Sequence, residues 1–208
     1  EKKAVEDAAL SAGAGRVFLV EEIMAAAIGA RLPIQDASGS MVINLGGGKT
    51  EIAVISLNGV VNWKSINVAG KEFDQDIIRY ARDRFNLLIG ERVAEQIKIK
   101  IGSAFQLEEE LSMEMRGRDL VSGLPREIII TDYQIREALA KSVTTIIDNI
   151  KATLETTPPE LVADIYERGI VLTGGLAQLR GIDQAISKAA EIPVRVADDP
   201  STCTIRGL

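Results

Sequence analysis

Apolar and polar positions along this chain alternate between two periods, and the changes of period mark its elements. Residues 2–12 have helix-forming composition and run into a Gly/Ala cluster at 13–15. The stretch "RVFLVEE" predicts a short buried strand, and "IMAAAIGARL" predicts a helix of small residues packed closely against a neighbour. After the turn "DASGS", the runs "MVINL" and "TEIAVISLNGVV" predict two strands around Gly46, Gly47 and Gly48, and "NWKSINVAG" a third ending at Gly70.

Beyond "KEFD" the period becomes helical, through Ile77, Ile78, Ala81 and Phe85, then Val93, Ala94, Ile97 and Ile101. Residues 110–131 alternate again, with Leu111, Met113 and Met115 on one side, "RGRDLVSGLP" as a connection and "REIIITD" as a second strand. Ile135, Leu139, Val143, Ile146, Ile150 and Leu154 recur at three and four, which predicts a long amphipathic helix. In "TTPPELVADIYERG", Thr157 is the expected N-cap, Pro158 the first helical residue, Glu160 the partner in a capping box and Gly169 the stop. "IVLTGG" reads as a buried strand feeding directly into a helix "LAQLRGIDQAISKAAE", and "IPVRVAD" as a last strand. The order predicts an α/β protein with a mostly helical insert near residues 75–138.

Composition narrows the chemistry. An apolar fraction of 46% and a charged fraction of 26% are those of an ordinary globular chain. A net charge of −6 with no basic stripe argues against nucleic acid as the main partner. One cysteine, Cys203, excludes an internal disulfide and fits a reducing compartment. The absence of histidine excludes Ser-His-Asp and Cys-His catalysis and the usual zinc sites, leaving carboxylates, lysines, backbone amides or a bound cation. No apolar run approaches the ~18 residues of a membrane-spanning helix. A start within a helical pattern without methionine, and an end at "TIRGL", fit an excerpt of a longer protein.

The glycines carry the most specific chemistry. "GGGKT" is not a P-loop: that motif ending at Thr50 needs glycine where Ile43 stands, and a helix where "EIAVISL" is β-branched. Three glycines nevertheless exceed the needs of a tight hairpin, and successive bare amides make a nest for oxyanions, so a flexible turn and a phosphate cradle are both open readings. Gly174-Gly175, between a strand and a helix start, suits the edge of a nucleotide cleft or a plain tight turn. Glu95 and Lys98 lie three apart on one predicted helix face, placed to meet ribose hydroxyls or merely solvent.

Together and in order, these pieces resemble the MreB family of bacterial actins. The stretches that carry the likeness include "VFLVEEIMAAAIGA", "SMVINLGGGKTEIAVISLNGVV", "LLIGERVAEQIKIKIGSAF", "RGRDLVSGLPREI", "TPPELVADIYERGIVLTGGLAQLRGID" and "ADDPSTC". They span essentially the whole chain and match the carboxy-terminal portion of the family. The resemblance implies an actin-like (RNase-H-like) ATPase fold, here its second half. Residues 1–35 would be the tail of the first half, 36–74 and 139–197 the RNase-H-like core of the second, 75–138 an inserted small α+β subdomain, and 198–208 a return towards the first half.

It also implies ATP or ADP with Mg2+ in a cleft, and a cytoplasmic filament at the inner face of the cell membrane. Such a filament self-associates, works with the cell-wall synthesis and shape machinery, and meets the membrane through the portion not present here. By the same resemblance Gly46, Gly47, Gly48, Lys49 and Thr50 would bind phosphate. Glu95, Lys98, Gly174, Gly175 and Leu176 would meet ribose and adenosine, and Glu21 would orient the attacking water. Asn44 stands where the family has an aspartate that holds hydrated magnesium, so it would hold the ion only weakly, through water.

Lys49 replaces a threonine and brings positive charge towards the phosphates, an arrangement that keeps nucleotide bound while weakening hydrolysis; solvent-facing drift is the bland alternative. Ile23 for proline and Leu176 for a third glycine are further departures. The function implied is an ATP-binding, polymerising filament protein that organises cell-wall synthesis and maintains cell shape. The alternatives are a hydrolysis-impaired scaffold paralogue, or another actin-superfold ATPase such as a sugar kinase or a DnaK-type chaperone.

Overall fold

The computed structural model describes residues 2–208. Helices α1 (Lys2–Ser11) and α2 (Glu22–Gly29) precede strands β1 (Ser40–Leu45), β2 (Thr50–Ser56) and β3 (Gly59–Ile66). Then come α3 (Gly70–Phe85), β4 (Leu87–Leu88), α4 (Glu91–Ile101), β5 (Ser112–Asp119), β6 (Pro125–Thr131) and the long α5 (Asp132–Glu155). These are followed by α6 (Pro159–Arg168), β7 (Ile170–Thr173), a 3-10 turn at Gly175–Gln178, α7 (Ile182–Ala190) and β8 (Val194–Val196). A second 3-10 turn at Pro200–Thr202 leads into α8 (Cys203–Arg206).

Five strands form one mixed sheet in the order β3-β2-β1-β7-β8, and β4-β5-β6 form a separate antiparallel sheet. Within the first, β1 is antiparallel to β2 and parallel to β7. Central position explains why β1 is buried along its whole length, whereas edge strand β3 alternates exposed and half-buried residues. The pleat then divides β1 into two faces. Met41, Ile43 and Leu45 enter the main core with Phe73, Ile77, Leu139 and Ile146 from α3 and α5. Val42 faces the other way, with Ala53 and Ile55, onto Ile23 and Ala27 of α2. Each such aliphatic side chain contributes roughly 1.5–3 kcal/mol by leaving water.

The small residues of α2 have a packing reason. A Cβ on Gly29 would stand 1.8 Å from the Cys203 carbonyl oxygen, and one on Gly207 1.8 Å from that of Ala25. Helix α2, from Ala25 to Gly29, and the α8 segment therefore touch backbone to backbone beside the sheet.

Several local expectations change. "RVFLVEE" is neither strand nor buried: Phe18 is 81% exposed, because no strand of the described chain lies beside it to pair its amides. "TEIAVISLNGVV" is two strands, since Leu57 and Asn58 both take left-handed backbone angles and reverse the chain. Helix α3 begins at Gly70, before "KEFD" rather than after it. Residues 75–138 are not mostly helical, because they hold all of the three-stranded sheet.

Helix α6 has Pro158 as its N-cap and no capping box, because the Thr157 hydroxyl donates instead to the Thr153 carbonyl, 2.7 Å away at the end of α5. The capping box stands at the start of α5, between Thr131 and Gln134. Beyond "IVLTGG" there is no continuous helix: a four-residue 3-10 turn breaks at left-handed Gly181 before α7 begins. Among the described residues no helix is long and apolar enough to cross a membrane.

Candidate functional site

The site is built on the loop between β1 and β2. The Gly46 amide donates to the Lys49 carbonyl at 3.0 Å and closes the hairpin. The start of α3 braces it from behind, with the Gly70 amide on the Gly46 carbonyl at 3.0 Å and the Lys71 amide on the Gly47 carbonyl at 2.8 Å. With the Gly46 and Gly47 carbonyls thus held, Gly47 and Gly48 keep amides that meet no acceptor among the described residues. A Cβ at either position would touch nothing within 4 Å, and neither has a left-handed backbone. The protein's own packing therefore does not demand glycine at 47 or 48, and the bare backbone there leaves room for close approach of an oxyanion.

One flank of the hairpin opens on a cleft of about 580 Å³, lined by Gly46, Gly47, Gly70, Glu95, Lys98, Ile99, Gly175, Leu176, Gln178, Leu179 and Arg180. Such a volume suits a nucleotide-sized ligand. Helix α4 supplies Glu95 and Lys98 from one face. The ammonium of Lys98 donates to the Gly70 carbonyl at 2.9 Å and pairs with Asp74 at 2.7 Å, so it ties α4 to the brace behind the glycines. Burial pushes the Asp74 pKa above the usual carboxylate value, and Lys98 opposes that shift. At the far end the Arg180 guanidinium donates to the Ile99 carbonyl at 2.8 Å, linking the 3-10 turn region to α4.

The two glycines of "TGG" differ in kind. Gly174 has φ +87°, and a Cβ there would lie 2.3 Å from the Leu45 carbonyl oxygen and 2.8 Å from Asn44 Oδ1. It is required by the backbone itself. Gly175 has open space above it and lines the cleft.

The face of β1 and β2 that meets α2 is closed by charge. Asn44, 3% exposed, shares the Val42 side of the pleat; its Nδ2 donates to Glu22 Oε1 at 3.0 Å, and its Oδ1 accepts from Thr173 Oγ1 at 3.3 Å. Lys49 Nζ lies 2.9 Å from Glu22 Oε2 and 3.1 Å from Glu51 Oε1. Burial alone would lower the Lys49 pKa, but hydrogen bonds and charge from Glu22 and Glu51 outweigh it and raise the value. The other Glu51 oxygen is buried without a donor among the described residues. Two carboxylates thus share one ammonium, leaving the cluster a unit negative.

The sequence-predicted residues divide accordingly. Gly46, Gly47, Glu95, Lys98, Gly175 and Leu176 come together around the cleft, and Gly48 sits beside them in the hairpin. Thr50 does not face a phosphate: it is fully buried and its hydroxyl donates to the Val68 carbonyl at 2.7 Å. Lys49 points neither into the cleft nor freely into solvent. Glu21 is 61% exposed at its side chain and stands 3.9 Å from Lys2, so the carboxylate that reaches the hairpin is Glu22.

A one-residue step on a helix turns the side chain by about 100°, and only the fold decides which of the two faces the sheet. Gly70, Ile99, Gln178, Leu179 and Arg180 escaped the sequence reading. Gly70, at a strand-to-helix change, was the one with a local signal.

The protein's own side chains around the hairpin do not form a magnesium cage. The Lys49 ammonium occupies the point between the two carboxylates, and the single amide oxygen of Asn44 is neutral and already engaged. Among the described residues no three acidic, cysteine or histidine side chains gather as a metal site.

The family model described as "MreB/Mbl protein" matches residues 1–208. The chain is 51% identical over 207 residues to the cell shape-determining protein MreB of Escherichia coli K12, covering all of this chain and 60% of that protein. It is 46% identical to the cell shape-determining protein Mbl of Bacillus subtilis 168, covering 62% of it. The chain therefore spans about 60% of the length of these relatives. MreB5 of Spiroplasma citri, solved bound to ADP, superposes with a TM-score of 0.97 at 40% identity, over 100% of this chain and 63% of that one. The MamK double helical filament shares the fold, with a TM-score of 0.82 at 21% identity over 99% of this chain and 62% of that one.

Proposed function

The chain belongs to the MreB/Mbl family, with the actin-like fold of its structural neighbours, and from that premise we propose that it is part of a nucleotide-dependent filament subunit. The full-length protein would polymerise, organise cell-wall synthesis and maintain cell shape from the cytoplasmic face of the membrane. Self-association has support from the family. Contact with the cell-wall machinery, and with the membrane through the remainder of the protein, belongs to the same proposal.

The observation that carries the reading is the open flank of the hairpin. The amides of Gly47 and Gly48 are free there to meet phosphate oxygens, while α4 and the 3-10 turn leave space that a nucleoside would fill, with Glu95 beside its ribose. The same-fold relative bound to ADP, and its counterpart bound to AMPPNP, support a nucleoside di- or triphosphate as the ligand. Magnesium, if used, comes with the phosphates and water rather than in a cage of side chains.

Hydrolysis would be in-line attack of water on the γ-phosphate, stabilised by the hairpin amides, with Glu22 as the carboxylate placed to orient the water. A second reading has its own observation. Both Glu22 oxygens already accept hydrogen bonds, from Asn44 and Lys49, which favours a subunit that binds nucleotide but turns it over slowly and serves as scaffold. A sugar kinase or DnaK-type chaperone has no comparable support beside a family match along the whole chain.

Light scattering and electron microscopy of the full-length protein test the proposal. Filaments should appear with ATP and not without nucleotide. ATP-saturated protein that stays monomeric would refute it.

A further inference from the structure

We propose that the β5–β6 hairpin tip of one subunit docks on the pole of a second copy that carries Leu57 and Tyr166. The inference rests on the filament reading above and names the two surfaces that join successive subunits.

The tip is apolar and held still. Leu120, Val121 and Leu124 are 45%, 84% and 65% exposed. Beneath them, one oxygen of the Asp119 carboxylate accepts from the Val121 amide at 3.0 Å, the Ser122 amide at 2.8 Å and the Ser122 hydroxyl at 3.0 Å. Its other oxygen accepts from Arg126 at 2.9 Å. The Leu120 amide donates to the Asn86 carbonyl at 2.8 Å, which fastens the tip to the end of α3. A loop already ordered in this way loses little further freedom on docking.

Helix α5 spans the distance between the two poles. Near its start, Glu137 accepts from Tyr80 and Arg84 in the last turns of α3. Near its end, the Thr153 carbonyl accepts from Asn62 of β3. Its 24 residues rise about 36 Å. The tip lies past the first end, and the second pole lies where β1 begins, on the side of the sheet away from the glycine hairpin. There Ser40 pairs with Ile55, and Met41 with Ile170 just beyond α6. Leu57 is 68% and Tyr166 63% exposed. Asp36 links their segments: its carbonyl accepts from the Leu57 amide at 2.9 Å, and its carboxylate from Arg168 at 3.4 Å.

Charge favours tip to pole over tip to tip. Arg116 and Arg126 are ion-paired, whereas exposed Arg118, at the base of the tip, has no carboxylate partner among the described residues. At the other pole Arg168 pairs with Asp36, whereas exposed Glu167, next to Tyr166, has no cationic partner among them. Two tips facing each other set like charges together; a tip on the far pole joins opposite charges and apolar side chains. Because the surfaces differ and lie at opposite ends, every added copy leaves a fresh tip, so the contact propagates instead of closing.

The test is assembly of the full-length protein with saturating ATP, followed by light scattering and electron microscopy. Val121→Asp and Tyr166→Asp should each raise the critical concentration by about 10-fold or more. Both should bind a fluorescent ATP analogue as wild type does, since neither residue lines the cleft. Val121→Cys/Tyr166→Cys filaments treated with a short thiol cross-linker should give a ladder of multimers, and Val121→Cys alone should give none. Filaments from either aspartate variant at the wild-type critical concentration overturn the inference, as do cross-linked dimers of Val121→Cys alone. A wild type that stays monomeric with ATP bound overturns the filament reading itself. If an aspartate variant fails to fold, the cross-linking pattern decides.

Discussion

The two faces of the glycine hairpin are built from the same pair of strands and are opposite in character. On the cleft side the backbone is bare, amides are unpaired, and a Cβ at Gly47 would meet nothing. On the α2 side every donor is spoken for: Asn44 and Lys49 converge on Glu22, and Lys49 also serves Glu51. Glycine means something different on each. At Gly47 and Gly48 it leaves room for a ligand; at Gly174 it relieves a collision inside the protein itself. Open space at Gly47 leaves the cleft wall bare, whereas the collision at Gly174 is internal architecture.

Substitutions separate the two. Gly174→Ala should do the most damage, about 3 kcal/mol or more, because it combines a left-handed backbone with a Cβ 2.3 Å from the Leu45 carbonyl oxygen. A large fall in thermal midpoint is expected, and an unchanged melt would break the assignment. Gly47→Val should leave the melt nearly unchanged and weaken nucleotide by about 10-fold, or about 1.4 kcal/mol. A stability loss without an affinity loss there would reverse the comparison.

Glu21→Gln should shift the stability of this chain by no more than about 0.5 kcal/mol in thermal unfolding, since its side chain is mostly exposed. The smallest effect expected is with pH. The folded Lys49 pKa is raised, so its contribution is complete below the ordinary lysine value, about 10.4, and is lost only as pH rises through the higher folded value. The thermal midpoint should therefore show no loss from Lys49 between about pH 7.5 and 9.5 in a titration of the wild type.

Much of this was legible in the sequence where one period runs long enough. Ile135, Leu139, Val143, Ile146 and Ile150 of α5 announce their helix, and the apolar runs of β1, β2 and β7 announce buried strands. The glycine cradle and the α4 pair were legible because their residue types are unusual or regularly spaced. What failed depends on single residues or on distant neighbours. Leu57 carries no turn signal itself yet takes a left-handed angle, although Asn58-Gly59 beside it is a hairpin signal. "RVFLVEE" has a strand's composition but no adjacent strand here. Glu21 and Glu22 are equivalent in composition, and only the seating of α2 against β1 distinguishes them. Gln178 and Arg180 line the cleft where the segment after Gly175 stops as a 3-10 turn, a break that a continuous helical pattern conceals.

The central claim is that nucleotide lies on the bare side of the hairpin. Hydrogen–deuterium exchange of the full-length protein, with and without saturating ATP, addresses it most directly. Slowed exchange is predicted in peptides covering residues 46–48, where the unpaired Gly47 and Gly48 amides would acquire phosphate partners, and 174–180, which the nucleoside would cover. Unchanged exchange in both segments, with ATP demonstrably bound, would contradict it.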